Sequence, residues 1–362
     1  MKLFLIIMIF FHILFQMHCI DLNKLESFGI NKNTFYVNDI LIYFNRAFLA
    51  IPRSTCQNNI SHPTLVELPW KDNVILKSRM QLPIEGQMWA DCKELQNAVS
   101  LAKEGVKSKL WILDQGNQFC PAKVMMYSML HNRFIENELI DLAEVDRNRL
   151  NSLVVENGTK IGDHRAFIGS VGENELLVCY LKNLKCVRAQ LLQNSLQTSL
   201  KPINGDFLTI NKGDSVMFFT SKDSLEVYSL DIQAIPEELQ AEPSDNLTIL
   251  VKYRGNKLGM SSGLMVDSQN GLLYYLTRDN VIVRWNTAKP LQAEYHDVLL
   301  QSSTLLPYVS RLFPDLQGNI FALVNMWDPD NCLANEEQGN ETLERTLRIV
   351  KYNWMLDKYL IE

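Results

Sequence analysis

The chain predicts an all-β fold, a six-bladed β-propeller, and three observations carry that expectation. Six short, apolar, aromatic-rich strands recur along it: Arg46–Arg53, Leu110–Gly116, Arg165–Ser170, Ser215–Thr220, Leu272–Thr277 and Asn319–Asn325. From Leu110 onward they return at intervals of about 50 residues, the spacing of a propeller blade. Several are followed, across a polar turn, by a second strand that carries a Tyr or Trp near its end, as in Leu225–Leu230 and Val281–Trp285. A propeller provides one central site, and the fold by itself names no chemistry.

In chain order, Met1–Cys19 reads as a secretory signal peptide. Lys2 precedes a mostly apolar run, Leu3–Phe15, and a small residue, Cys19, stands where cleavage falls. The run is too short to cross a bilayer, which takes about 20 apolar residues. Residues 20–362 are then expected to form a single propeller domain, secreted and extracellular, with no membrane partner. Thr34–Phe44 is strand-like and leads into the first repeat.

Glu138–Asn157 offers Leu139, Ile140, Leu142, Ala143, Val145 and Leu150 at partial helical spacing among many charges, and reads as an extended loop with one helical turn. The blade pattern is clearest from Leu208 to Leu230, where Leu208–Ile210, Val216–Thr220 and Leu225–Leu230 are joined by turns at Asn211–Asp214 and Ser221–Asp223. The next unit repeats it, with strands at Leu264–Val266, Leu272–Thr277 and Val281–Trp285. Asp231–Asp245 and Asn331–Glu344 are polar and read as long surface loops. Leu347–Tyr352 is a last strand. It is expected to share a blade with Thr34–Phe44, because an open edge invites aggregation.

Apolar residues make up 47% and charged residues 21%, an ordinary globular balance, and the net charge is −6. No basic stripe or Lys/Arg cluster is present, which argues against a nucleic-acid partner. Besides Cys19, six cysteines remain: Cys56, Cys92, Cys120, Cys179, Cys186 and Cys332. An even count in a secreted chain favours disulfides, and six cysteines allow 15 connectivities. Cys179 and Cys186 flank a hairpin-like Tyr180–Lys185 and are placed to pair across it. No close Cys or His pair has metal-ligand spacing, so no metal and no cofactor is expected. Asn59, Asn157, Asn246 and Asn340 each head an N-glycosylation tripeptide.

Leu110-Trp-Ile-Leu-Asp-Gln-Gly116, followed by Cys120-Pro-Ala-Lys123, resembles a strand pair of the Yellow / major royal jelly protein family of insects. Phe48–Arg53, Trp89-Ala-Asp-Cys92, Gly271–Tyr275 and Arg284-Trp-Asn286 resemble further motifs of that family, in the same order, from about residue 40 to 353. The chain departs from the family pattern at Lys107 and Arg284, where cysteines are usual, at Val187, near a commonly seen Trp, and at Ser170, where an Asp is usual. The resemblance implies a secreted propeller that binds a small amine or catechol in its central pocket and is linked to pigmentation or cuticle physiology. It also implies two alternatives: an enzyme of melanin formation that converts dopachrome, and a structural protein of cuticle or eggshell.

Candidate site residues follow from the strand ends. Asp114 closes an otherwise apolar strand, where a carboxylate must be paired or hydrogen-bonded. It reads either as a turn-former or as an anion facing the axis. Arg53 and Arg165 read as bridges between blades or as axial cations. Asn286 and Asn325 end strands at comparable places and offer neutral donors and acceptors to a ligand. Trp111, Phe167, Trp285 and Trp327 offer stacking surface. Dopachrome conversion needs a positioned acid/base pair, for which Asp114 with Arg165 or His164 is the candidate set. There is no Gly-x-Ser-x-Gly motif and no histidine pair at metal spacing.

Overall fold

The computed structural model describes residues 17–19, 36–53, 62–70, 84–104, 108–135, 139–156, 164–170, 174–193, 203–211, 213–236, 247–315, 317–325 and 348–352. The four glycosylation tripeptide asparagines, Cys56, Cys332, Trp327 and the Asn331–Glu344 loop lie outside them.

A short strand, β1 (Met17–Cys19), falls in the stretch read as a leader. The first sheet holds β2 (Asp39–Tyr43), β3 (Arg46–Ala50) and β4 (Leu65–Pro69). The second holds β5 (Ala98–Lys103), β6 (Lys109–Asp114) and β7 (Lys123–Ser128), with β8 (Arg133–Phe134) and β9 (Ile140–Asp141) both paired to β7. The third holds β10 (Leu150–Val155), β11 (Arg165–Ser170), β12 (Glu175–Tyr180) and β13 (Lys185–Gln193). The fourth holds β14 (Phe207–Asn211), β15 (Val216–Thr220), β16 (Glu226–Asp231) and β17 (Leu247–Asn256). The fifth holds β18 (Ser261–Val266), β19 (Gly271–Leu276), β20 (Val281–Asn286) and β21 (His296–Gln301). The last holds β22 (Tyr308–Pro314), β23 (Ile320–Asn325) and β24 (Arg348–Tyr352), with β1 along its outer edge. Within each sheet every strand pairs antiparallel. The exception to separate sheets is a parallel pairing of β13 with β17, which joins the third and fourth along their outer rims.

The tight turns have a local cause. Before β19, Asp267 Oδ1 accepts from the N–H groups of Gln269 and Gly271, both at 2.8 Å, and Asn270 takes a positive φ of 61°. Before β23, Asp315 Oδ1 accepts from Gln317 N at 2.9 Å and Asn319 N at 2.8 Å. A short polar side chain that binds backbone two residues on is what makes these turns readable in sequence.

Strand periodicity then sets the core. Each junction between neighbouring sheets encloses its own apolar cluster, and the series closes on itself. Phe48 and Leu65 of the first sheet meet Leu110 and Met125 of the second. At the closing junction Trp70 packs edge-on against Phe313 and Phe321, with ring centroids 6.1 and 5.3 Å away. The same junction is latched by polar bonds. Asn325 Oδ1 accepts from Val37 N at 2.9 Å, and its Nδ2 donates to Val37 O at 3.0 Å. The result is a β-propeller.

Two expectations change. Glu138–Asn157 holds the expected helical turn, a 3-10 turn at Arg147–Arg149, but it is not otherwise a loop: it also contains β9 and the innermost strand β10. The ring's packing draws that strand in, although its polar residues blur the alternation. The C-terminal strand does not pair with Thr34–Phe44, since β2 lies in the first sheet and β24 in the last, where β1 is its neighbour. Cys92–Cys120 and Cys179–Cys186 are disulfide-bonded, and the second pair sits directly opposite across the β12–β13 hairpin.

Candidate functional site

The first strand of each sheet (β2, β5, β10, β14, β18, β22) lies innermost, and together they line an axial channel. An innermost strand leaves one backbone edge unpaired, and that edge must find partners. Here polar side chains on one strand reach the backbone of the next. Asp39 Oδ2 accepts from Leu101 N at 2.9 Å and from the Ser100 hydroxyl at 2.8 Å. Ser100 Oγ accepts from Leu153 N at 3.1 Å, and Thr209 Oγ1 from Val266 N at 3.1 Å. Ser262 donates to Val309 O at 2.5 Å, and Ser310 to Val37 O at 2.8 Å. Ser100, Ser152, Ser262 and Ser310 all fall at breaks in strand register, where a bulge turns a side chain from the sheet face toward the neighbouring strand.

Within the channel is a cavity of about 340 Å³, within the size range of small-molecule sites. All six innermost strands contribute to its wall, whose accessible lining is polar and apolar in about equal measure. Its charged lining residues are Lys103, Arg311 and Asp315. Arg311 pairs with Asp39 at 3.2 Å, joining the last sheet to the first. The Asp315 carboxylate is taken up by its turn. The Lys103 ammonium stands 5.2 Å from the Tyr43 ring centroid.

The structure places the sequence candidates elsewhere. Asp114 is fully buried at the end of β6. Its Oδ1 accepts from Asn97 N at 2.7 Å and Gly116 N at 2.8 Å, its Oδ2 from Gln96 N at 2.9 Å, and Lys123 Nζ lies at 3.4 Å. Gly116 makes this turn possible: its φ is +68°, and a Cβ there would stand 2.3 Å from Cys120 O. Arg53 donates to three backbone carbonyls, those of His62, Gln96 and Gln87, and lies 5.3 Å over Trp89. Burial lowers the Arg53 guanidinium to a pKa of about 10, against which the Asp114 charge acts.

Arg165 donates to the Glu156 carboxylate at 2.7 Å and to the Ile232 and Ile235 carbonyls. Asn286 is exposed at the end of β20, and its Oδ1 accepts from Ala288 N at 3.1 Å. Asn325 is the closing latch. None of the five lines the 340 Å³ cavity. Asp114 sits beside Ala98 at the start of β5, while Arg165 and His164 sit at the other end of the ring, beside the end of β10. The acid/base set proposed from sequence is therefore not brought together.

Sequence reasoning missed a second polar cluster, at the opening end of the innermost strands. Asp206 is buried just before β14, and burial raises its carboxyl above the ordinary range. Lys257, buried before β18, donates to Ser221 O at 2.9 Å and Ser261 Oγ at 2.7 Å. Burial lowers its ammonium to a pKa of about 7, against the pull of Asp206, Glu226 and Asp223. The available signal was a charged residue immediately before an apolar strand, which is common enough in turns to be overlooked.

Likenesses to solved structures are remote. The nidogen/laminin complex matches with 12% identity and a TM-score of 0.46, covering 72% of this chain and 81% of that one. The WD40 repeats of RRP9 match with 9% identity and a TM-score of 0.48, covering 88% and 95%. A catalytically inactive virginiamycin B lyase from Staphylococcus aureus, solved with quinupristin, matches with 10% identity and a TM-score of 0.47, covering 85% and 81%. No curated protein sequence matches the chain. The model of the family described as "Major royal jelly protein" matches residues 106–329, more than half of the sequence and from the second sheet into the last, and the chain belongs to that family.

Proposed function

We propose that this is a secreted, Yellow-like binding protein whose axial channel takes a small amine or catechol. The observation that carries the reading is the cavity itself: about 340 Å³, enclosed by all the innermost strands, with a lining that is polar and apolar in about equal measure and few charged side chains. An aromatic ring of catechol size suits such a wall, and the Lys103 ammonium is a donor to phenolic oxygens. The two disulfides and the family support an oxidising, extracellular setting. A role in pigmentation or cuticle is part of the same proposal, as is use of the four glycosylation tripeptides.

Calorimetric titration of the full secreted chain with dopamine tests the reading. One saturable site per chain is expected. Absence of heat at millimolar dopamine, with folded protein, sinks it and shifts the weight to a structural extracellular role.

A further inference from the structure

The charged groups around the axial cavity divide into those whose bonds are made within the fold and those whose bonds are not. Asp315 is among the first. Its Oδ1 accepts from Gln317 N and Asn319 N, and its Oδ2 from Asn319 Nδ2 at 2.6 Å. Asp39, the partner of Arg311, is engaged in the same way. Its Oδ1 accepts from Ile40 N at 2.8 Å, and its Oδ2 from Leu101 N and the Ser100 hydroxyl. Both carboxylates are therefore answered by donors that belong to the protein.

The two cations are not. Arg311 lines the cavity with its side chain 20% exposed, and it meets Asp39 through Nε. Its terminal nitrogens, Nη1 and Nη2, donate to no acceptor among the described residues. A guanidinium holds five N–H donors in a fixed fork and stays charged, so this side of it calls for acceptors. Lys103, at the end of β5, lines the same cavity. Its ammonium has the Tyr43 ring as neighbour and no oxygen partner among the described residues.

The cavity thus has donors in surplus and carboxylates already engaged. A ligand with an ammonium tail adds three more donors and a charge of the same sign as Arg311 and Lys103. A ligand with a carboxylate tail supplies what is missing. Its two oxygens match the guanidinium fork through parallel N–H···O bonds, and partial burial strengthens such a charge-assisted pair over its value in water.

We infer that Arg311, at the junction of the last sheet and the first, anchors a carboxylate on the ligand of this cavity, which makes that ligand a small aromatic acid. This rests on the reading that the cavity takes a catechol, and it fixes the sign of the charge on the catechol's tail as negative. Asp39 is a positioning residue: it holds Nε, and the other side of the fork is turned to the ligand. Lys103 keeps its place as donor to the phenolic oxygens.

Three ligands with one ring and three charges test this by calorimetry: 3,4-dihydroxyphenylacetate, 4-methylcatechol and dopamine. The parent chain is expected to bind the acid about 10- to 100-fold more tightly than 4-methylcatechol, the range of a hydrogen-bonded charge pair, and dopamine the most weakly. Arg311→Gln is expected to abolish the preference for the acid. Arg311→Lys keeps a cation beside Asp39 and loses the fork, so it is expected to retain only part of the preference, and it serves as the readout if Arg311→Gln does not fold. A parent chain that binds dopamine as tightly as the acid, or more tightly, overturns the assignment and leaves the catechol reading standing. So does a preference for the acid that is undiminished in folded Arg311→Gln or in Arg311→Lys. If none of the three ligands binds, the catechol reading falls and takes the assignment with it.

Discussion

Asp114 shows how a buried charge is made harmless. Three backbone N–H groups and Lys123 surround a carboxylate at the end of an apolar strand, so its charge is fully answered inside the fold. Replacing it by Asn puts an NH2 where an N–H already points and leaves Lys123 uncompensated. Asp114→Asn is expected to lose about 2–4 kcal/mol in urea unfolding, with dopamine affinity unchanged. A variant as stable as its parent but tenfold weaker for dopamine would return Asp114 to the ligand site.

Lys257 carries the opposite lesson, because its burial is only partly answered. Its folded pKa of about 7 lies below the ordinary 10.5, so between those values the unfolded chain holds a proton that the folded chain has released. Stability therefore rises with pH through that window, and the cost of the buried charge is felt in full below it. Melting curves from pH 6.5 to 9.5 should show the rise, on the order of a few kcal/mol. Lys257→Met should flatten it. The upper limit is set by the tyrosines, since burial raises Tyr228 to about 12 and Tyr274 also upward, so above about pH 10 their ionisation in the unfolded chain works the other way.

Strands differ in how openly the sequence declares them. Val216–Thr220 and Gly271–Leu276 are almost wholly apolar, second in their sheets, and bounded by Asx turns. Both signals are local. The innermost strand β10 reads Leu-Asn-Ser-Leu-Val-Val and hides among charges, because Asn151 answers the neighbouring sheet and not its own pleat. The rim strands β17 and β21 are half exposed, with faint alternation. The cavity was illegible for the same reason: the innermost strands meet through side-chain bonds to strands about 50 residues away.

The two disulfides also act at this level. Cys92–Cys120 closes a loop of 28 residues between a turn and the return strand, whereas Cys179–Cys186 closes 7 within a hairpin. Loop entropy sets the cost of removing the first at about 3–4 kcal/mol and the second at about 2–3. Paired Cys→Ser variants in urea unfolding should keep that order, and a larger loss from the hairpin pair would refute it.

At the level of the whole molecule, circular closure ties residues that the chain makes first to residues it makes last. The latch between Val37 and Asn325 spans 288 positions, and the apolar face of the first sheet is completed only by Phe313, Phe321 and Leu323. During synthesis Ile40, Ile42, Leu49, Val66 and Trp70 are therefore in place long before their partners exist. Contacts of such sequence separation slow folding, and an unfinished apolar face is an invitation to chaperones or to aggregation. A nascent chain stopped short of residue 313 is a row of sheets with two sticky ends. Cellular quality control would meet the growing chain as an open arc, and as a ring only once Asn325 has been made.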